Sequence, residues 1–291
     1  MKLISIDMDG TLLSKDLTIS PQNIDAIKKA QAEGHIVMIC SGRTKYSILK
    51  ILNEYSIRCP IGASNGSIAF VDDQVIEANY LPKQTVSELT RFLEAGSFPY
   101  KLYTNKGVYV PNTWKERVMK AYKEGSYPDR KMTIEDLERV TVQELKATYY
   151  HLFDDVTTIL ADNSTHMEKI FLLTLEQDKR KQLVQDIQQI TDITVTSSAP
   201  SNLEITTEHG NKGTALQAIA NHFHIPMDQT IAIGDNFNDV PMMKAAGFSI
   251  AMGNAEEEVK EICDTVTLTN NESGVAHAVH KYVLHTEKAV Q

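Results

Sequence analysis

The chain has 291 residues, 42% of them hydrophobic, enough for two cores or for one large core with an inserted module. Its formal net charge of −9 argues against a nucleic acid or an anionic membrane as partner, because both demand an excess of Lys and Arg. Scattered Cys40, Cys59 and Cys263 without CxxC spacing, no apolar leader and no stretch of membrane-spanning length together predict a soluble cytoplasmic protein with free thiols.

Residues 3–6 read as a short buried strand that delivers Asp7 and Asp9 to its carboxyl end. Residues i and i+2 of an extended chain share a side, so the two carboxylates can converge on one ligand while Gly10 turns the backbone away. Such a pair suits a divalent metal, a nucleophile with its acid/base partner, or both; it also occurs in calcium loops and plain turns. Ser20 and Pro21 cap a helix that runs to residue 32, with Gly34 past its end. A strand at 35–40 leads into Ser41-Gly42-Arg43, followed by a helix over 44–55 and a strand over 60–63. Residues 67–71 and 75–79 form a hairpin about Asp72-Asp73. Strands separated by helices imply right-handed crossovers and a parallel sheet.

The pattern changes between 83 and 198. A helix over 85–94 precedes strands at 100–103 and 108–110, joined by Asn105-Lys106-Gly107, a plausible hairpin turn. A helix over 114–123, a loop at 125–130, a strand at 167–175, a helix over 178–190 and a strand at 194–197 complete this α+β stretch. From Leu203 the alternation returns. Asn211-Lys212-Gly213 opens a helix over 212–222, and the strand 230–233 ends in Gly234-Asp235-Asn236-Phe237-Asn238-Asp239. Helices at 239–246, 256–262 and 275–282 then alternate with strands at 248–252 and 266–268. The expected fold class is α/β: a Rossmann-like parallel-sheet core formed by 1–82 and 199–291, with an inserted α+β cap domain at 83–198. The nine histidines show no HxH or HExxH spacing, so His209, His222 and His224 read as surface or packing residues. Met242-Met243 reads as core, and the acids at 256–258 suit a helix N-terminus without calcium.

Four motifs stand at the ends of apolar runs or at the start of a helix: Asp7-Met8-Asp9-Gly10-Thr11, Ser41-Gly42-Arg43, Lys212-Gly213 and the 234–239 loop. In this order they resemble the haloacid dehalogenase (HAD)-like phosphohydrolases, and their spacing looks like the Cof-type branch, subclass IIB. The resemblance covers essentially the whole chain. It implies a Mg2+-dependent phosphatase that hydrolyses a small phosphorylated metabolite through an aspartyl-phosphate; sugar phosphates, nucleotides and pyridoxal- or flavin-pathway phosphates are all family substrates. By the same resemblance Asp7 is the nucleophile, and Asp9 protonates the leaving oxygen and later deprotonates water. Lys212 offsets the charge of Asp7 and the phosphate. Asp7, Asp235 and the Asp9 carbonyl hold Mg2+, and Asp239 holds a metal-bound water. Met8, Ser41, Gly42, Lys212 and Asn238 bind the phosphoryl group. Arg43 and Asn65 stand at the pocket mouth, facing substrate or serving as an ion pair and a turn.

Many relatives have Ser before the lysine where this chain has Asn211, a mild departure because the lysine carries the charge. Only 31 residues (10–40) separate Asp9 from Ser41, too few for the earlier cap of the related β-phosphoglucomutases, which disfavours a mutase. The alternative from another class is a phosphometabolite-binding or regulatory protein on a phosphatase scaffold. It is disfavoured because Asp7 and Asp9 both persist beside Lys212, Asp235 and Asn238. Residues 197–278 look especially like Bacillus-type members that dephosphorylate the ribityl-aminouracil precursor of riboflavin. Tyr103, Tyr109 and Trp114 in the cap either stack on a substrate ring or pack internally. A monomer or homodimer is expected.

Overall fold

A computed structural model describes residues 1–124, 133–175, 177–199 and 201–285; the loop expected at 125–130 lies outside the described residues. The chain divides into two compact units, Met1–Ala78 with His209–Gln291, and Asn79–Glu208.

The first unit carries an eight-stranded sheet. In spatial order its strands are Thr265–Val266, Phe248–Ala251, Thr230–Gly234, Leu3–Ile6, Ile36–Cys40, Ile61–Ala63, Ile68–Val71 and Gln74–Ala78. The first six run parallel, and the last two close the edge as an antiparallel hairpin. Asp72 and Asp73 make its turn with φ of 46° and 66°, the left-handed pair that a two-residue hairpin turn needs. Leu3–Ile6 lies centrally, with every residue buried and every Cα in register between Thr230–Ile233 and Ile36–Ile39. A strand covered on both faces reads as a continuous apolar run, which is why its limits are legible. The chain leaves Leu3–Ile6 toward Ile36–Cys40 on one side, and Thr230–Gly234 lies on the other. The carboxyl end of the first strand is therefore the reversal point where open α/β sheets bind ligands.

Local rules place the flanking helices. Ser20 caps Pro21–Ala32 by accepting from the Asn23 N–H at 3.2 Å, and Thr44 caps Lys45–Glu54 through Ser47 at the same distance. Each such cap contributes about 1 kcal/mol. Met242 and Met243 are buried in the core of this unit, as expected.

The second unit is a six-stranded sheet in the order Ile193–Thr196, Asn202–Thr207, Met167–Leu173, Tyr100–Thr104, Gly107–Pro111 and Tyr150–Phe153. It is antiparallel except for the last pair. Its helices Lys83–Ala95 and Gln177–Ile187 help build one apolar cluster, and Trp114–Glu124 helps build another. Two strands, Asn202–Thr207 and Tyr150–Phe153, and two short helices, Ile134–Glu138 and Val156–Ala161, have no counterpart in the sequence reading. Asn202–Thr207 matters most. It pairs with Met167–Leu173 and Ile193–Thr196, so the units divide at 78/79 and 208/209 rather than at 82/83 and 198/199. Glu204 disguises it, a charged residue at a buried position of the strand. Its carboxylate is satisfied by Lys169 Nζ at 2.7 Å, and that ammonium also stands 4.4 Å from the Tyr103 ring centroid. Trp114 is 1% exposed, with the Lys101 ammonium 4.8 Å from its ring centroid, and Tyr109 packs on the cluster that Lys83–Ala95 and Gln177–Ile187 help build. No described helix is long and apolar enough to cross a membrane.

Candidate active site

The catalytic, phosphate-binding and metal-holding candidates named from the sequence, with Arg43 and Asn65, belong to the first unit, around the carboxyl ends of its central strands, whereas Tyr103, Tyr109 and Trp114 belong to the second. Asp7 follows Leu3–Ile6 and continues the ladder through its N–H to Ile233 O at 2.9 Å. Asp235 follows Thr230–Gly234, and Ser41 follows Ile36–Cys40. Lys212 is the first residue of the helix Lys212–His222, whose N-cap Asn211 accepts from the Gly213 and Thr214 amides at 3.0 and 3.1 Å. Asn211 thus serves as the helix cap.

The centre is a buried charge cluster. Lys212, wholly inaccessible, donates to Asp7 Oδ1 and to Asp239 Oδ1, the latter at 2.5 Å. Asp239 Oδ2 accepts from the Asp235 and Asn236 amides at 2.9 and 3.0 Å. Both Asp239 oxygens are therefore committed to fixing Lys212 and the 234–239 loop. Asp235 Oδ1 accepts from the Thr11 hydroxyl at 2.7 Å. The Oδ2 atoms of Asp7 and Asp235 accept no hydrogen bond from a described residue, and these two residues keep 5% and 9% exposure. Asp7, Asp235 and Asp239 bring ligand oxygens within 4.8 Å of one another. An oxygen-only donor set with two open carboxylate oxygens suits a hard divalent cation that retains water in its shell. The acidic triad can hold a metal.

Gly10 makes this approach possible. Its φ is +80°, and a Cβ there would stand 2.3 Å from Asp235 Oδ2. Gly66, at φ +83°, plays the matching part beside Lys212, where a Cβ would meet Asn211 O at 2.4 Å.

The electrostatics follow from burial. Desolvation, then the Asp239 charge, raise the Asp7 pKa well above the carboxylate range against the pull of Lys212. Burial and Asp239 likewise push Asp235 up to about 7, opposed by the Thr11 hydrogen bond and Lys212. Burial disfavours the Lys212 charge, but Asp239 and Asp7 outweigh it and hold its pKa above the ordinary value. A carboxyl whose pKa is higher folded than unfolded keeps its proton in the native state after the unfolded chain has lost it. Stability of the metal-free protein should therefore fall as pH rises from about 4 to about 7, by up to about 4 kcal/mol from Asp235. Denaturant melts at pH 5 and pH 8 in EDTA check this; greater stability at pH 8 would contradict it.

Around the cluster lie the remaining residues named from the sequence. Ser41 is fully buried, its N–H donates to Gly62 O at 2.8 Å and its Oγ accepts from the Arg43 N–H at 3.2 Å, so the hydroxyl hydrogen remains to donate. Gly42 lies between them. The Met8 N–H has no acceptor among the described residues, while its carbonyl accepts from Leu13 at 2.8 Å. Asn65 sits in a left-handed turn at φ 62° and ψ 27°, its N–H on Ser41 O at 2.9 Å and its Oδ1 accepting from Asn238 Nδ2 at 3.2 Å. Arg43 forms a two-point ion pair with Asp9. The sequence reading gave no site role to Thr11 or Asn254. Thr11 is visible only as the last residue of the first motif. Asn254, which donates to Gly10 O at 2.8 Å from 244 residues away, carries no sequence signal. Cys40 is buried and Cys59 half-buried, and desolvation pushes both thiols up to about 12, hence protonated and without a nucleophilic part.

Carboxylates and a lysine gathered at the reversal point of a parallel sheet make a site of the kind open α/β folds use for ligands, with an acidic triad that could hold a metal. A profile of the haloacid dehalogenase-like hydrolases matches residues 4–279. The chain is 29% identical over 281 residues to phosphatase YwpJ of Bacillus subtilis (strain 168), covering 95% of this chain and 98% of that protein. It is 28% identical to the 5-amino-6-(5-phospho-D-ribitylamino)uracil phosphatase YwtE of the same organism, over 96% and 97% of the two chains. Among solved structures, the HAD subclass IIB sugar phosphatase BT4131 shares the fold with a TM-score of 0.78, at 22% identity over 97% of this chain and 99% of that one. The chain belongs to the haloacid dehalogenase-like hydrolases, with the subclass IIB fold, and it is one of their phosphoric monoester hydrolases.

Proposed function

We propose that the protein is a Mg2+-dependent phosphatase that hydrolyses a small phosphorylated metabolite through an aspartyl-phosphate on Asp7. The observation that carries this reading is the Lys212 bridge between Asp7 and Asp239, with the second oxygen of Asp7 and that of the neighbouring Asp235 left open. Phosphoryl transfer asks a protein mainly to position groups and to neutralise oxygen charge. Asp7, Asp235 and the Asp9 carbonyl would hold Mg2+, which would supply positive charge to the phosphoryl oxygens.

Lys212 holds Asp7 in one orientation, so Oδ2 attacks phosphorus as the bond to the leaving oxygen breaks. Asp9 gives its proton to that oxygen, releasing an alcohol. Water then attacks the aspartyl-phosphate, its proton returns to Asp9, and the bond from phosphorus to Asp7 breaks. The Ser41 hydroxyl and the Met8 N–H donate to the phosphoryl oxygens, joined by Gly42 and Asn238. Asp239 serves chiefly to hold Lys212, since both its oxygens are taken. The inserted unit acts as the cap that selects the leaving group. Free cysteines are consistent with a reducing cytoplasm.

The test is phosphate release from a panel of sugar phosphates, nucleotides, pyridoxal phosphate and ribityl-aminouracil phosphate, with Mg2+ or with EDTA. Release from one or a few compounds, lost in EDTA, is expected. No release from any of them with Mg2+ would count against the reading.

A further inference from the structure

We propose that Arg43 is a positioning residue that withholds Asp9 while the site is empty and hands it over when a phosphoryl group arrives. The proposal rests on the acid/base role assigned to Asp9 above. Arg43 Nε stands 2.7 Å from Asp9 Oδ2, and Nη2 stands 2.6 Å from Oδ1. Both oxygens of the carboxylate are thus engaged by one planar fork. In this arrangement each oxygen already accepts a charge-assisted hydrogen bond that must be given up before the carboxyl can turn to a leaving group.

The site holds two cations of opposite character. Lys212 is wholly buried and bridges two buried carboxylates, so moving it would strand charge. Arg43 and Asp9 keep 27% and 49% side-chain exposure, and a pair so exposed to water is weak enough to exchange. The Arg43 backbone is pinned beside the phosphate-binding serine, through its N–H to Ser41 Oγ at 3.2 Å and its carbonyl to the Ser64 amide at 2.9 Å. Nη1 reaches Ser47 Oγ at 3.3 Å on the following helix. Only the end of the side chain has to swing. A phosphoryl dianion offers the guanidinium two oxygens in the same fork geometry with more charge than a carboxylate carries, so it competes for Arg43 directly. Asp9 is released at the moment a leaving oxygen is present.

The pair should then tax the binding of an oxyanion, and removing Asp9 should lift the tax only if Arg43 is there to use the gain. The experiment is a double-mutant cycle read by calorimetric titration of inorganic phosphate in Mg2+. Arg43→Gln is expected to weaken phosphate binding about tenfold. Asp9→Asn removes a negative charge and should tighten binding in both backgrounds, but by about threefold to fivefold more where Arg43 is intact. Arg43→Lys should restore affinity only in part, since an ammonium cannot span two oxygens. It also stands in should the glutamine variant fail to fold. Equal effects of Asp9→Asn in both backgrounds, or unchanged affinity in Arg43→Gln, would overturn the proposal. Because the cycle needs no turnover, its failure is separable from failure of the phosphatase reading, which phosphate release from Asp7→Asn decides.

Discussion

Replacing Asp7 by Asn is expected to lower kcat by about 10^4-fold or more while leaving the fold in place. An amide keeps the shape of the side chain but cannot form an acyl phosphate, so the covalent step is lost rather than slowed. Stability should change by no more than about 1 kcal/mol. Asp7 is buried where its charged form is disfavoured, and Lys212 retains Asp239 as a partner after the change. Phosphate release on the best substrate of the panel, set beside a thermal melt, separates the two quantities. Activity within tenfold of the wild type would end the nucleophile assignment.

Lys212→Met should have the second large effect, and it should fall on stability as well as on rate. The ammonium is the shared partner of Asp7 and Asp239, all three essentially out of water. Removing one member of such a cluster leaves buried carboxylate charge uncompensated, at a cost of about 3–5 kcal/mol. A fall in Tm on the order of 10 °C is expected at pH 8. The loss has a sign that distinguishes it from lost packing. As pH falls, Asp7, whose carboxyl burial and the Asp239 charge raise well above its usual range, takes up a proton and part of the stranded charge disappears, so the penalty should shrink from pH 8 toward pH 5. A loss of equal size at both pH values would assign the effect to the methylene stem. Turnover should drop about 10^3-fold at pH 8, because Asp7 then loses the group that orients it.

These effects concentrate in one unit because its sequence is locally consistent with its fold. The strand Leu3–Ile6 was readable to the residue, being a short apolar run ended by an acid. The helix from Pro21 was readable from its serine cap and proline, and the hairpin turn from Asp72-Asp73. The second unit was less legible. Lys169 and Glu204 occupy buried strand positions as a pair, and neither partner advertises the other across 35 residues. The strand Asn202–Thr207 was therefore read as the beginning of the returning core, although its hydrogen bonds lie in the other sheet.

The chain by itself determined which groups are the candidates for chemistry: two acids after the first strand, a serine after the second, a capped lysine and an acidic loop. Their type, spacing and position at element ends are local properties, and local rules suffice to read them. Tertiary structure alone decided how those groups are paired. Thr11 meets Asp235 across 224 residues, Asn65 meets Asn238 across 173, and Arg43 meets Asp9 across 34. It also decided that Asp239 spends both oxygens on Lys212 and its own loop, leaving one carboxylate oxygen each of Asp7 and Asp235 open. Such pairings depend on which strand ends the sheet order brings together and on how much water burial removes. Neither quantity exists along the chain before it folds.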